Sequence, residues 1–329
     1  MLNRRFKMPV RKGLATLALV IGGVLVAGTV IAQQRAISIA TGGTGGVYYP
    51  LGGGLANVLS KAIPGLQATA EVTGGSVDNL KLINSGGSDL AFSQVDAALD
   101  AFKGQDKFKG TEVPVRALMV LYPNQMHVVT IEGTGIQTMA DLKGKRVSTG
   151  SGGSATEVMA FRVIEAAGLD KDKDLTRERL GVAESVNAIK DRKIDAFFWV
   201  GGLPTSAVTD LGATPGVKLK LIDHADAVVK MNAKYGNIYS GSVIKAGTYP
   251  TQTTDNKNTV VWNILIVNAK MSDQDAYNIV KIVFDKKADL VAVHGEAKNF
   301  LMENQVKDYV PIPWHPGAIK YMTEHGVKM

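Results

Sequence analysis

The chain has 329 residues, no cysteine, 37 Lys and Arg against 30 Asp and Glu, and a formal net charge of +7. The excess positive charge lies in residues 1–32, which hold five of the basic residues and no acidic one, so the rest of the chain has a net charge of +2. That balance, without a basic run interleaved with aromatics, excludes a nucleic-acid partner, and the lack of cysteine excludes disulfides and a lipoprotein anchor.

The first 32 residues have the pattern of an export signal. A basic stretch from Arg4 to Lys12 precedes the uncharged apolar run 13–31, and small residues end the segment at Ala32. We expect cleavage near Ala32 and export to the periplasm. Retention as a membrane anchor is the alternative, because about 20 apolar residues can span a bilayer. About 297 residues remain, enough for two lobes, and we expect a soluble monomer.

The residues that follow predict an α/β fold. Short β-rich apolar runs alternate with helical patterns, which is typical of mainly parallel sheets flanked by helices. In chain order, the first part predicts a strand at 37–41, a helix at 48–63, a strand at 66–72, a helix at 76–86, a strand at 89–94 and a helix from 95.

Two long extended runs, 116–132 and 259–270, predict crossings of the chain between two lobes. The segment between them and the segment after them predict helices at 155–168 and 184–193, a strand at 194–200, a solvated charged loop at 169–180 and a helix at 272–290. We therefore place lobe I in residues 33–125 and 250–329, and lobe II in residues 126–249. This arrangement suits hinge closure.

Three glycine- or serine-rich loops, at 41–49, 149–157 and 200–208, each join the end of a predicted strand to the start of a helix. Ligands of open α/β sheets collect there, and backbone amides with the helix dipole hold an anion without a cationic side chain. A tight turn without a ligand is the alternative for each loop. Three such loops on one side of the sheets predict a site for a small carboxylate.

Enzyme and metal motifs are not matched. The loops lack the P-loop and dinucleotide fingerprints, and neither Ser151 nor Ser154 lies in G-x-S-x-G. The five histidines show no metal-ligand spacing, so we expect no metal and no cofactor. We expect a binding protein without catalytic activity. An exported hydrolase using Ser151 or Ser154 is the alternative, although no Ser, His and acid set stands in a recognised order.

Several side chains near the strand ends are candidates for ligand contact. Asn79 on the first turn of a helix and Gln94 at the end of a strand can hydrogen-bond a ligand, with structural roles as the alternative. Tyr48, Tyr122 and Trp199 can wall the apolar part of a pocket, with core packing as the alternative.

A set of motifs extends in order from Ile37 to Gly326: ATGGTGGVYYPLGG, TGGSVDNLKLINSG, AFSQVDAA, LYPNQMHVV, ADLKGKRVSTGSGGSATE, DAFFWVGGLPT and PWHPGAIKYMTEHG. In this combination the chain resembles the TAXI family, the solute receptors of TRAP-type transporters. The resemblance implies a two-lobed type II periplasmic-binding-protein fold that closes on one small organic anion. The implied ligands are glutamate, glutamine or a C4 to C5 dicarboxylate such as 2-oxoglutarate, and the implied partner is an ion-gradient-driven TRAP permease. A receptor for a membrane signalling partner would share this pocket.

The resemblance also implies which residues contact the ligand. With the third loop added, the predicted site consists of Thr44, Gly45, Gly46, Tyr48, Asn79, Gln94, Ser151, Ser154, Thr156, Trp199 and Gly201. The chain departs from the family where GSGT is replaced by GSGGSATE and where Leu203 stands in place of the tyrosine of GGYPT. No arginine lies in the three loops, so we expect amides and hydroxyls to hold the anion.

Overall fold

The computed structural model describes residues 35–329, and residues 34–329 form one compact unit. The predicted export signal at 1–32 lies outside the described residues. Within residues 35–329, none of the helices combines the length and apolar character needed to cross a membrane.

The part of the chain that the structure describes contains ten strands and ten α-helices. The strands are β1 (Arg35–Ala40), β2 (Leu66–Glu71), β3 (Leu90–Gln94), β4 (Val115–Ile131), β5 (Arg146–Ser148), β6 (Thr176–Glu178), β7 (Ala196–Gly201), β8 (Leu219–Leu221), β9 (Ser240–Ile244) and β10 (Asn256–Asn268). The helices are α1 (Tyr48–Ala62), α2 (Ser76–Ser85), α3 (Val95–Phe102), α4 (Ala155–Ala166), α5 (Val182–Lys190), α6 (Ser206–Ala213), α7 (Ala227–Tyr235), α8 (Asp273–Asp285), α9 (Lys287–Val293) and α10 (Pro316–Glu324).

The strands form one mixed sheet in the order β2-β1-β3-β10-β4-β7-β5-β6, with β8 paired to β4 and β9 paired to β10. β1 is parallel to β2 and β3, and β5 is parallel to β6 and β7. β4 and β10 are antiparallel to each other, and they are also antiparallel to β7 and β3 respectively. Two groups of parallel strands therefore lie towards the two ends of the sheet, joined by two long antiparallel strands.

Each long strand changes partner along its length. β4 pairs with β10 through residues 115–125 and with β7 through residues 125–130. β10 pairs with β9 through residues 256–260 and with β3 through residues 263–267. The two extended runs predicted from the sequence are these two strands.

The central strands are deeply buried. All five residues of β3 and nearly all of β4 are buried, as expected for strands covered by helices on both faces. A large hydrophobic core extends through both groups of strands, and a second, smaller core surrounds β7, α5 and α6. Rigid, fully buried strands thus end at the loops that were predicted to bind a ligand.

The predicted α/β class is confirmed, with three corrections of detail. The sheet is mixed rather than mainly parallel, because the two long strands run against their neighbours. The charged stretch predicted as a loop contains the edge strand β6, and charged side chains are common on edge strands. The helix predicted at 272–290 is two helices, because the backbone of Lys286 leaves the helical conformation (φ −106°, ψ 18°).

Candidate functional site

A cavity of about 410 Å³ lies where the three glycine loops meet. Loop 42–47 precedes α1, loop 150–154 precedes α4, and Val200 and Gly201 end β7. Residues 72–76 and 179–184 complete much of the wall. Ligand pockets in proteins typically enclose about 300–1,000 Å³, so this space is large enough for a small molecule.

The structure brings ten of the eleven predicted site residues to this cavity. The ten are Thr44, Gly45, Gly46, Tyr48, Gln94, Ser151, Ser154, Thr156, Trp199 and Gly201. Asn79 lies outside the lining.

The loops touch one another across the cavity. The Ser151 Oγ donates to the Gly74 carbonyl at 2.9 Å, and the Ser206 Oγ donates to the Gly45 carbonyl at 3.1 Å. The Asp78 amide donates to the Gly153 carbonyl at 3.0 Å. These bonds join the α1 and α2 side of the cavity to the α4 and α6 side.

Glycine permits this close approach at Gly45. A Cβ atom there would lie 3.1 Å from the Ala183 Cβ and 3.3 Å from the Ala207 Cβ, both on the opposite wall. A Cβ atom at Gly43, in the same loop, would meet no heavy atom within 4 Å. Gly45 is therefore tightly packed by the opposite wall, whereas Gly43 is not.

The hydroxyls predicted to bind the ligand are already used inside the protein. The Ser154 Oγ donates to the Ser151 carbonyl at 2.7 Å and accepts from the Glu157 amide at 3.1 Å, which caps α4. The Thr156 Oγ1 accepts from the Val200 amide at 3.4 Å. These hydroxyls hold the loop in shape, and the backbone around them lines the cavity.

Aromatic rings form the apolar part of the wall. The Trp199 ring lies against Gly46, and its Nε1 donates to the Thr205 Oγ1 at 2.9 Å. The Tyr48 ring stacks on Phe92 with a centroid distance of 5.1 Å. Burial raises the pKa of Tyr48 and of Tyr122, so both phenols remain protonated at neutral pH.

Asn79 is a correction to the predicted ligand contacts. Its Nδ2 donates to the carbonyls of Thr41 and Phe92 at 2.7 and 2.8 Å, and its Oδ1 accepts from the Thr73 Oγ1 at 2.6 Å. The side chain is fully buried. Asn79 thus ties α2 to the ends of β1 and β3, and its polar atoms are not available to a ligand.

Replacing Asn79 with leucine is expected to lower the free energy of unfolding by about 2–3 kcal/mol, because two buried carbonyls lose their donor. Urea unfolding measures this loss. Asn84→Leu is the matched control, since Asn84 is exposed on the same helix, and its midpoint should stay near that of the wild type. An Asn79→Leu variant as stable as the control would contradict this structural role.

Asn124 and Arg179 also line the cavity, although neither belongs to the predicted site. Asn124 is a buried polar residue directly after the apolar run 117–123 of β4, and this change from apolar to polar was the signal in the sequence. Arg179 lies outside the glycine loops, and its Nε donates to the Glu157 carboxylate at 2.8 Å. A guanidinium therefore stands at the cavity edge, already paired with a buried carboxylate.

The arrangement gives no support to the hydrolase alternative. Both loop serines donate to backbone carbonyls, and the lining, as the described residues form it, includes no histidine that could act as a base. Two histidines, His127 and His224, are buried elsewhere with both ring nitrogens bonded inside the fold. Residues 35–329 contain no group of three or more His, Asp or Glu side chains placed to hold a metal ion.

Comparison with known proteins agrees with this architecture. Residues 39–326 match the model of the NMT1-like family. The chain is similar to the periplasmic aliphatic sulphonate binding protein SsuA from Escherichia coli, at 15% identity over 88% of this chain and 83% of that chain, with a TM-score of 0.46. It is similar to a putative L-cystine ABC transporter protein from Listeria monocytogenes, at 16% identity over 84% and 98%, with a TM-score of 0.49.

A protein from Bordetella bronchiseptica RB50 is similar at 18% identity over 88% of this chain and 89% of that chain, with a TM-score of 0.50. At these identities the similarity concerns the fold. The predicted α/β fold is confirmed.

Proposed function

The chain belongs to the NMT1-like family, and from this premise we propose that it is an extracytoplasmic receptor that binds one small organic anion. The observation that carries the proposal is the cavity enclosed by loops that contact each other from opposite sides. A ligand held there is buried by both walls, which is how a solute receptor retains its cargo until delivery.

In this proposal the two sides of the cavity are two lobes. Lobe I consists of residues 33–125 and 250–329, and lobe II of residues 126–249, so that β4 and β10 form the connection. A ligand that contacts both lobes favours the closed arrangement by its differential affinity alone. Opening would separate loop 42–47 from α5 and α6.

The anion would be held mainly by backbone amides. No side chain caps the amino end of α1, and Val47 and Tyr48 at that end line the cavity. Uncapped helix amides together with the positive end of the helix dipole attract a carboxylate. Arg179 at the cavity edge adds a positive charge, because the Glu157 carboxylate that it contacts is shared with Lys107 and Arg177.

For the cargo and the partner we propose the classes that the TAXI resemblance implies. The ligand would be glutamate, glutamine or a C4 to C5 dicarboxylate, and the receptor would deliver it in the periplasm to a TRAP permease driven by an ion gradient. A signalling partner is the alternative. Affinity purification of the tagged protein from its own membranes would separate the two, since only the first predicts permease subunits.

A thermal-shift screen tests the receptor function. The protein is unfolded and refolded to remove any bound ligand, then heated with glutamate, glutamine, succinate, malate, 2-oxoglutarate and short monocarboxylates. A ligand at one hundred times its dissociation constant adds about 2.7 kcal/mol, which raises the melting temperature by several degrees. A selective shift supports the receptor, and no shift with any small acid or amino acid would overturn it.

Closure predicts that Gly45→Val weakens ligand binding. The added side chain would press on Ala183 and Ala207 in the closed form, and overpacking of this kind costs about 1–3 kcal/mol, or roughly 5- to 150-fold in affinity. Gly53→Val on α1 is the control, because Gly53 is exposed outside the cavity lining and a Cβ atom there would meet no heavy atom within 4 Å. Isothermal titration calorimetry gives both dissociation constants, and equal losses in the two variants would argue against closure on the ligand.

A further inference from the structure

Three buried polar atoms in the cavity wall have no hydrogen-bond partner. They are the Gln94 Oε1, the Tyr122 hydroxyl and the Asn124 Oδ1. The three residues are only 3%, 0% and 1% exposed. An unpartnered buried polar atom costs about 1–3 kcal/mol, so a ligand that pairs with these three atoms gains binding free energy.

The orientation of Asn124 is fixed by a chain of hydrogen bonds beneath the cavity. The Asn263 Nδ2 donates to the Tyr122 carbonyl at 3.3 Å, and a carbonyl can only accept, so the Asn263 amide cannot be reversed. Its Oδ1 therefore accepts from the Asn124 Nδ2 at 3.0 Å and from the Tyr48 hydroxyl. Because Asn263 holds the nitrogen, the atom that Asn124 leaves without a partner in the cavity wall is its acceptor oxygen.

A fixed acceptor oxygen in the wall selects what the ligand places against it. A carboxylate or keto oxygen facing the Asn124 Oδ1 would leave two acceptors opposed, whereas an N–H or O–H would complete a hydrogen bond. The protonated Tyr122 hydroxyl can donate to a ligand oxygen. The Gln94 amide can turn to pair with either a donor or an acceptor of the ligand. The wall thus offers both kinds of partner, but the contribution of Asn124 is an acceptor.

We infer that Asn124 is a specificity-determining residue that selects small acids carrying an amino, amide or hydroxyl group over acids of the same size without a donor. The inference rests on the proposed receptor function, since it names the ligand class of the same cavity. It separates ligands that the family resemblance leaves together: glutamate and malate carry such a donor, whereas 2-oxoglutarate and succinate do not.

Matched pairs of ligands test the inference on the wild-type protein. Glutamate and 2-oxoglutarate differ at one carbon, and malate differs from succinate by one hydroxyl at equal charge. Calorimetric titration should give a dissociation constant at least about ten-fold lower for the donor-bearing member of any pair that binds, because a site built to pair a ligand donor rejects the analogue that lacks it.

A variant then assigns the selectivity to the residue. Asn124→Leu removes the acceptor, and the ratio of the two dissociation constants in a pair should fall to within about two-fold of one. Asn57→Leu, on the exposed side of α1, should keep the wild-type ratio. If Asn124→Leu does not fold, the paired titrations of the wild type still decide the ligand class.

The outcomes separate the two proposals. Tighter binding of 2-oxoglutarate or succinate than of its donor-bearing partner would overturn the inference and leave the receptor function standing. An unchanged ratio in Asn124→Leu would likewise overturn the role of this residue. Failure of every acid to bind would overturn the receptor function and the inference with it.

Discussion

Replacing Arg162 with methionine is expected to lower the free energy of unfolding by about 3–5 kcal/mol. Arg162 lies on α4 with 4% of its side chain exposed, and it forms an ion pair with Asp100 and lies 3.9 Å from the Asp96 carboxylate. Its Nη1 also donates to the Tyr239 hydroxyl at 2.6 Å. Methionine keeps most of the volume but leaves two carboxylates of α3 buried without their cation.

Urea unfolding at pH 7 measures this loss, with Lys218→Met as the control. Lys218 pairs with Glu132 at 2.9 Å, but both side chains are more than half exposed, and such pairs contribute less than about 1 kcal/mol. The deficit of Arg162→Met should shrink when Asp100 is also replaced by leucine, because one uncompensated charge is then removed. A loss as small as that of the control would contradict a structural role for the buried pair.

Acidification from pH 7 to about pH 4 is expected to destabilise the protein through two histidines. Burial lowers the pKa of His127 and of His224 from 6.5 to about 4. Between these values the unfolded chain binds protons that the folded chain does not. The contribution of each histidine to the free energy of unfolding is therefore fully present above about pH 6.5. It is lost as the pH decreases towards 4, by up to roughly 3 kcal/mol for each histidine.

Burial keeps both rings neutral, and their hydrogen bonds show which ring nitrogen carries the proton. The Nδ1 of His127 donates to the Gln125 carbonyl at 2.9 Å, and its Nε2 accepts from the Tyr249 hydroxyl at 2.8 Å. The Nε2 of His224 accepts from the Thr259 amide at 3.3 Å. A proton on the Nε2 of either ring would take the lone pair that accepts this hydrogen bond, and the bond would be lost.

Urea midpoints between pH 7 and pH 4.5 measure the slope in the wild type and in His127→Gln and His224→Gln. Each variant should lose about half of the part of the dependence that the two histidines cause. Asp100 opposes the histidines, because burial raises its pKa to about 6 and its contribution therefore grows as the pH falls. Stability that is constant or that increases on acidification, with the same slope in all three proteins, would show that the histidines are not the cause.

The sequence was sufficient to predict the alternation of strands and helices around the cavity. Glycine-rich loops at the ends of apolar runs indicated where β1, β5 and β7 meet their helices, because local chain geometry and burial set that pattern. The same local signals located loop 42–47 and loop 150–154 on the cavity wall.

The direction of individual side chains could not be predicted in this way. The hydrogen bond between Asn124 and Asn263 joins residues 139 positions apart, and it depends on how β4 pairs with β10. Asn79 stood in a helix start that looks the same whether its amide faces a ligand or the backbone of neighbouring strands. Serine hydroxyls near a ligand loop are equally ambiguous, and Ser154 proved to cap α4.

The most direct measurement is a crystal structure of the protein grown with the acid that gives the largest thermal shift. We expect one ligand molecule in the cavity, with a carboxylate at the amino end of α1 and an N–H or O–H group within hydrogen-bond distance of the Asn124 Oδ1. An empty cavity between closed walls, with the acid bound elsewhere on the surface, would contradict it.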